Sequence, residues 1–432
     1  MSGKSKNDVA WEELFAKHRV LDRLENQPAF EISATQINEF REARLMTKID
    51  HRIQLPQIFK QNDLTIQPNT RGTYLIGRFA SYADLPANDD DEIEQVAFPA
   101  GIETIDPLNL YSESAALLCA YNVGIVNELL HEPVSLTVLG RMSTGTFDYS
   151  IDEVRSGQPL NIRVTNSQCE IDGGFEGPSV FAIVEAKNES VSDFLVRQLY
   201  YPYRLWTTRT GKQVVPVFLC YSNDVFSFYV FQFNRLESYN SIELVSQRRF
   251  QIGPREIELA DIVAALDRVR VLPETADVPF PQADSFNRVV DLLTQLHAAG
   301  TLSREDITTN HAFDVRQTQY YTNAGRYLGL IETTRSKGAG ITYSLTAQAV
   351  NILTRRPPER NLALAERILQ HRVFNEVAKL YLRGGVRPEI DQVVQIMTAA
   401  DLGLDREGNT TIRRRAQTVL AWIDWMMRLT RR

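Results

Sequence analysis

Apolar positions recur at helical spacing in some stretches of this chain and in short strand-like runs in others, and the changes of period divide it into segments. Trp11, Leu14, Phe15, Val20, Leu21 and Leu24 lie near helical intervals, so residues 8 to about 26 are expected to be helical. A second helix is expected over 35–46, opened by Ser33-Ala34-Thr35, which has capping character. Leu64-Thr65-Ile66 and Thr73-Tyr74-Leu75-Ile76-Gly77 flank Pro68-Asn69-Thr70-Arg71-Gly72 and read as a β-hairpin. Residues 111–130 carry one long helical pattern through Ala115, Leu118, Tyr121, Ile125 and Leu129, and strands are expected at 134–139, 147–151 and 160–164. The unbroken apolar run Val180-Phe181-Ala182-Ile183-Val184 reads as a buried strand, preceded by Gly173-Gly174-Phe175-Glu176-Gly177 as a turn. A helix over 192–206 and strands at 214–221 and 225–233 complete this region.

Prolines 273, 279 and 281 mark residues 271–282 as a linker, after which the period changes again. Phe286, Val289, Leu292, Leu293 and Leu296 mark a helix, Ser303 opens a second, and 315–326 forms a third. A hairpin follows through Leu328-Gly329-Leu330-Ile331-Glu332 and Ile341-Thr342-Tyr343-Ser344-Leu345. Residues 359–432 are predominantly helical. Helices, hairpins and a mixed central region together predict an α+β, multidomain fold.

With 432 residues, 43% of them hydrophobic, the chain has enough apolar surface for several cores. No run of eighteen apolar residues occurs and the first residues lack a signal-peptide pattern, so a cytoplasmic location and no membrane partner are expected. Cys119, Cys169 and Cys220 are far apart in apolar or strand-like surroundings, which argues against a disulfide framework or a zinc site. The net charge of −7 is unevenly spread: Asp89-Asp90-Asp91-Glu92-Ile93-Glu94 concentrates acid, while Arg413-Arg414-Arg415, Arg428, Arg431 and Arg432 concentrate base. Local potential governs phosphate binding, so a basic face is compatible with an acidic total. The acidic run reads as a solvated linker.

The candidate chemistry lies at the end of the apolar run. Glu185-Ala186-Lys187 places an acid and an amine on one face of a strand, with Ala186 on the other. Asp172 precedes the glycine-rich turn, and pairing of the two segments would bring it beside Glu185. A solvent-exposed Glu185–Lys187 pair and a turn-capping Asp172 are the alternatives.

An acid, a spacer and then an acid-x-Lys triplet at a strand end resembles the PD-(D/E)XK nuclease superfamily, through Asp172, Glu185 and Lys187. The helix bearing Gln198, in Arg197-Gln198-Leu199-Tyr200-Tyr201, is similar to the glutamine helix of the recombination-exonuclease branch, although Pro202 departs from its spacing. The resemblance implies a mixed-sheet nuclease core whose order is helix, antiparallel strands, helix, strand. It implies Mg2+ held by Asp172, Glu185 and the Ala186 carbonyl, with Lys187 and Gln198 beside it. Glu113 is a candidate further acid, or an acid favoured by the dipole at its helix start.

The segment after the linker resembles a winged helix-turn-helix, whose third helix enters the major groove. Arg316, Gln317, Gln319, Tyr320, Asn323 and Arg326, with Lys337 on the wing and Arg413 and Arg414 further on, are candidate DNA contacts. Winged helices also serve as packing modules. The expected organisation is an N-terminal helical, winged-helix-like domain at 1–85, with Arg41, Arg44, Lys48, His51 and Arg52 as candidate phosphate contacts or, alternatively, a solvated helix face. An acidic linker at 86–104, the nuclease domain at 105–270, the linker at 271–282, the winged-helix domain at 283–357 and a helical domain at 358–432, with a helix-turn-helix-like unit as its alternative reading, follow. The whole looks most like a type II restriction endonuclease: double-stranded DNA as substrate, a homodimer, and a cognate DNA methyltransferase in the same system. A repair or mobile-element nuclease of the same superfamily, and a winged-helix transcription regulator with an inactive nuclease-like domain, are the rival expectations.

Overall fold

The computed structural model describes residues 4–86, 92–99, 101–107, 109–253, 257–272, 274, 277–310, 313–336, 340–400, 402 and 409–430. The fold is mixed α and β and divides into two compact units. The first comprises Met1–Tyr221, Val225–Ile252 and Thr308–Val315, and the second Ser222–Asp224, Gly253–Ile307 and Arg316–Arg432.

In the first unit, Ser5 caps the helix Lys6–His18 through a capping box with Asp8, and Arg19 ends it at φ 50°. Trp11, Phe15 and Phe59 pack edge-on or tilted in the core beneath it. Strands β1 (Ala29–Ser33), β2 (Thr65–Pro68) and β3 (Thr73–Gly77) form an antiparallel sheet in the order β1-β3-β2. The single helix expected over 35–46 is instead two, Ala34–Asn38 and Ala43–Thr47, because the Asn38 side chain accepts from the Ala43 N–H at 2.7 Å. The expected capping at Ser33 is present, as a reciprocal box with Gln36.

The chain continues through β4 (Tyr82–Asp84), β5 (Ile93–Val96), β6 (Ser135–Ser143), β7 (Thr146–Asp152), β8 (Pro159–Thr165), β9 (Gln168–Glu176), β10 (Val180–Lys187), β11 (Asp193–Leu195), β12 (Gln213–Ser222), β13 (Val225–Phe233) and β14 (Ile242–Ile252). Seven of these form one mixed sheet, ordered β5-β14-β13-β12-β10-β9-β6. β9 runs antiparallel to β6 and β10, whereas β12 is parallel to β10. A parallel neighbour requires a crossover, and the Arg197–Trp206 helix supplies part of it. As expected for a strand covered on both faces, β10 is buried almost throughout.

Its two faces meet different helices. Ala182, Val184 and Ala186 join the core that contains Leu117, Ala120 and Leu129, while Phe181 and Ile183 pack with Tyr203 and Trp206. Strand alternation therefore sends Glu185 and Lys187 to the side of the Arg197–Trp206 helix.

Several expectations are corrected here. Gly173 and Gly174 are not a turn; they lie inside β9, and the reversal runs from Gly177 to Ser179, where the Glu132 carboxylate accepts from the Ser179 and Val180 N–H groups. A Cβ at Gly173 would sit 2.7 Å from Leu117, and one at Gly174 2.8 Å from Val138 and 2.9 Å from Phe181. These glycines permit close packing. The helix expected over 111–130 breaks at Gly124, φ 86°, into Glu113–Asn122 and Ile125–Leu130. The helix expected from 192 starts at Arg197, because Asp193–Leu195 instead pairs with Tyr82–Asp84 and Phe194 stacks on Phe218, 4.6 Å between ring centroids. In the expected linker 86–104, Ile93–Val96 is a strand parallel to β14, fastened by Glu94 to Arg248 at 2.5 Å; Asp89, Asp90 and Asp91 lie outside the described residues.

The second unit contains the helices Leu259–Arg268 and Phe286–Ala299, the short strand Thr301–Ser303, the helix Val315–Tyr327 and the hairpin Ile331–Ser336 with Gly340–Leu345. The short strand pairs with the hairpin to make three strands. The helices Pro357–Leu369, Arg372–Gly384, Ile390–Ala399 and Asn409–Arg428 follow. Leu259–Arg268, within the residues expected to finish the central domain, is instead tied to Pro357–Leu369 by an Arg268–Glu366 ion pair. Among the described residues no helix is long and apolar enough to cross a membrane.

Candidate active site

The last rung of the β9–β10 ladder pairs Val184 with Gly173, so the next step along both strands brings Asp172 alongside Glu185. There the Asp172 Oδ2 accepts from the Ala186 N–H at 2.9 Å, giving that amide an acceptor beyond the last paired rung. Glu185 is 7% exposed, and its Oε1 accepts from the Lys187 ammonium at 2.5 Å and from the Gln198 amide. Glu113, in the first turn of its own helix, lies 4.0 Å from the Lys187 Nζ. Asp172, Glu185, Lys187 and Gln198 are thus joined across β9, β10 and the Arg197–Trp206 helix, and Glu113 reaches the same ammonium. The exposed-pair alternative for Glu185 and Lys187 is excluded, since both are buried.

Burial dominates the electrostatics. It raises the Glu185 carboxyl to about 8, opposed by Lys187 and reinforced by Asp172 and Glu113. Asp172 and Glu113 are also raised, by burial first, with Lys187 pulling each down. For Lys187 burial works against the charge, but Glu185, Glu113, Asp50 and Asp172 together outweigh it and push the ammonium upward. The site therefore holds more carboxylates than cations, which keeps the amine charged and favours a proton on Glu185.

Sequence reasoning missed the contribution of the N-terminal segment. Asp50 acts electrostatically on Lys187, Glu113 and Asp172, and Lys48 on Glu113. The loop is pinned in place: the Asp50 carbonyl accepts from the Leu195 N–H at 2.9 Å, and Gln54 Oε1 accepts from the Asp50 and His51 N–H groups at 2.9 and 3.1 Å. His51 Nδ1 lies 2.6 Å from the Asp193 carbonyl. Of the basic residues expected to meet phosphate there, His51 is buried, Arg41 donates to Asn7 at 2.8 Å, and Arg52 pairs with Asp84 and Asp193. Nothing local in sequence marks Asp50, because its approach depends on Leu195.

Whether these residues suit a divalent cation can be judged from the donors. Gln198 Oε1 is buried without a hydrogen-bond partner beside Glu185, an acceptor suited to a water or a hydrated ion. Among the described residues no group of three or more His, Cys, Asp or Glu side chains is arranged to hold a metal. Two carboxylates and a backbone carbonyl, as Asp172, Glu185 and Ala186 would offer, are the oxygen donors that a hard cation such as magnesium takes alongside water. The three cysteines are buried and none is in a disulfide, and burial raises the Cys119 and Cys169 thiols to about 11, far from reactivity at neutral pH.

The other candidate residues belong to the second unit. Arg316 and Gln319 are exposed on the Val315–Tyr327 helix, and Gln317, Tyr320, Asn323 and Arg326 are half-buried. Gln317 accepts from Arg288 at 3.3 Å and Asn323 from Arg326 at 3.2 Å. Arg413 pairs with Asp391 at 2.6 Å, and Arg414 donates to Gln282. Lys337 lies outside the described residues.

Three family models match parts of the chain, each a domain of unknown function: DUF6996 over residues 8–76, DUF6997 over 77–251 and DUF7226 over 288–431. No curated protein and no solved structure matches it. Glu113, Asp172, Glu185, Lys187 and Gln198 all fall within the 77–251 match, and Lys48 and Asp50 within the 8–76 match.

Proposed function

We propose that this chain is a Mg2+-dependent, sequence-specific double-stranded DNA endonuclease of the type II restriction kind, hydrolysing phosphodiesters to 5′-phosphate and 3′-hydroxyl ends. The observation that carries the reading is the junction of Asp172, Glu185 and Lys187 at the rim of β9 and β10, with Asp172 bonded to the amide between the other two. The order of helix, antiparallel strands, helix and parallel strand around it supports the PD-(D/E)XK nuclease core that the motif resembles. The order of helices, short strand and hairpin in the second unit supports a winged-helix DNA-binding module.

In this mechanism Asp172, Glu185 with its proton displaced, and the Ala186 carbonyl would hold the ion. When bound, Mg2+ supplies Lewis-acid polarisation of the scissile phosphate and acidifies a coordinated water. Lys187 orients the attacking water and offsets charge on the phosphate as it becomes five-coordinate. Gln198 holds the Glu185 carboxylate through its amide and offers its unpaired Oε1 to a water. Glu185 first, then Glu113, Asp50 and Asp172, keep Lys187 protonated against its burial, so the amine serves as a cation and not as a base. Symmetric cleavage of both strands requires two such sites, hence a homodimer, and protection of host DNA requires a cognate methyltransferase.

The test is incubation of plasmid and phage DNA with the protein and Mg2+, followed by mapping of the fragment ends. Discrete bands with a common end sequence support restriction. Preference for branched DNA would favour a repair or mobile-element nuclease. A transcription regulator with an inactive nuclease-like domain is favoured by one feature, the engagement of Lys187 with Glu185, and predicts binding without cleavage.

A further inference from the structure

Two arginines almost a hundred positions apart in sequence meet on one tyrosine in the second unit. Arg316 and Tyr320 lie one turn apart on the Val315–Tyr327 helix, and the Arg316 Nε donates to the Tyr320 hydroxyl at 2.5 Å. The Arg316 guanidinium carbon lies 5.5 Å from the ring centroid, and that of Arg414, from the Asn409–Arg428 helix, lies 5.8 Å from the same centroid. Both arginines are exposed, and among the described residues neither is paired with a carboxylate. The neighbouring Arg413 differs, its charge being met by Asp391 at 2.6 Å.

The arrangement gathers two positive charges, and no carboxylate among the described residues pairs with either. Slight burial raises the Tyr320 phenol, but the hydrogen bonds and charges of Arg316 and Arg414 outweigh it and bring the phenol below its ordinary value. Because the hydroxyl oxygen accepts from Arg316, its own proton is left to donate outward. Arg316 Nε is taken by the tyrosine and one Arg414 nitrogen by the Gln282 Oε1, so the remaining guanidinium N–H groups and the Tyr320 O–H are the donors for the oxygens of a single phosphodiester.

We propose that Arg316, Tyr320 and Arg414 form a clamp for one backbone phosphate of duplex DNA. The C-terminal helix then shares the DNA-contacting surface with the Val315–Tyr327 helix and fixes its register without reading bases. The clamp rests on the reading that this unit binds DNA. Its test is separable from that reading.

Duplex binding by the full chain is measured in EDTA by fluorescence anisotropy across a salt series, with thermal melting as the check that each variant is folded. Arg316→Ala and Arg414→Ala should each weaken binding about tenfold on every sequence and flatten the salt slope by about 1. The double variant should lose much less than the product of the two, since both side chains hold one phosphate. Folded Arg316 and Arg414 variants that bind like the unsubstituted chain overturn the clamp while leaving DNA binding intact. Fully multiplicative losses in the double variant also overturn it, as two independent contacts. Failure of the unsubstituted chain to bind any duplex defeats the DNA reading and the clamp together.

Discussion

The Asp172 carboxylate accepts from the Ala186 N–H at 2.9 Å, so one of the two candidate metal-binding acids is also a fastening between β9 and β10. One oxygen holds the strand; in the proposed mechanism the other serves the cation. The two roles separate by substitution. Asp172→Asn retains an acceptor for the amide and should fold normally yet lose at least about a hundredfold in cleavage rate, since a neutral ligand holds Mg2+ weakly. Asp172→Ala should lose cleavage and also about 1–3 kcal/mol of stability, from the amide left unpaired. Urea unfolding beside a plasmid cleavage assay distinguishes them, and unchanged cleavage in Asp172→Asn would refute the site.

Glu185 links stability to pH. Its folded carboxyl is raised to about 8 by burial, so between its ordinary value near 4.5 and that point the folded state keeps a proton that the unfolded chain has released. Stability from this group is fully present below the ordinary value and is lost as pH rises through about 8. The slope is at most about 1.4 kcal/mol per pH unit for one proton. Glu185→Gln, which carries no titrating proton, should flatten the fall seen in metal-free urea unfolding between pH 6 and 8. An identical slope in the variant would exclude the shift.

Asp50 tests whether the N-terminal segment takes part in the site. It acts on Lys187 through space and its backbone is held by Leu195 at 2.9 Å. Asp50→Asn should lower the Lys187 pKa, measurable by NMR of the side-chain amine, and reduce cleavage about tenfold, or about 1.4 kcal/mol in the barrier. A Lys187 titration identical to that of the unsubstituted chain would remove Asp50 from the site.

Lys187→Met removes the cation bonded to buried Glu185. Cleavage should become undetectable while duplex binding persists. The stability cost should be larger at pH 9 than at pH 6, because without the ammonium Glu185 must stay protonated to remain buried. A cost independent of pH would mean that the pair is not coupled as described.

The strand glycines offer a test independent of function. Gly174→Ala places a methyl group 2.8 Å from the Val138 Cβ and 2.9 Å from Phe181, so a loss of about 1–3 kcal/mol is expected. A methyl group at Gly211 would meet nothing within 4 Å, and Gly211→Ala should be neutral within about 0.5 kcal/mol. Equal urea midpoints for the two variants would contradict the packing of β9.

Local periodicity determined much of this protein. The apolar run of β10, the shared face of Glu185 and Lys187, the Gln198 helix and the hairpin of the second unit all follow from side-chain spacing over a few residues. Tertiary contact decided the rest. Gly173-Gly174 has the composition of a turn and became strand because Leu117, Val138 and Phe181 close over it. β14 carries no clear alternation and is held between β13 and β5, with Arg248 reaching Glu94 across the sheet edge. Asp50 enters the candidate site through a hydrogen bond to Leu195, and Arg414 meets Tyr320 on another helix. Spacing along the chain encodes which face a side chain takes within its own element; which distant element covers that face depends on packing and charge pairing between segments that no short window contains.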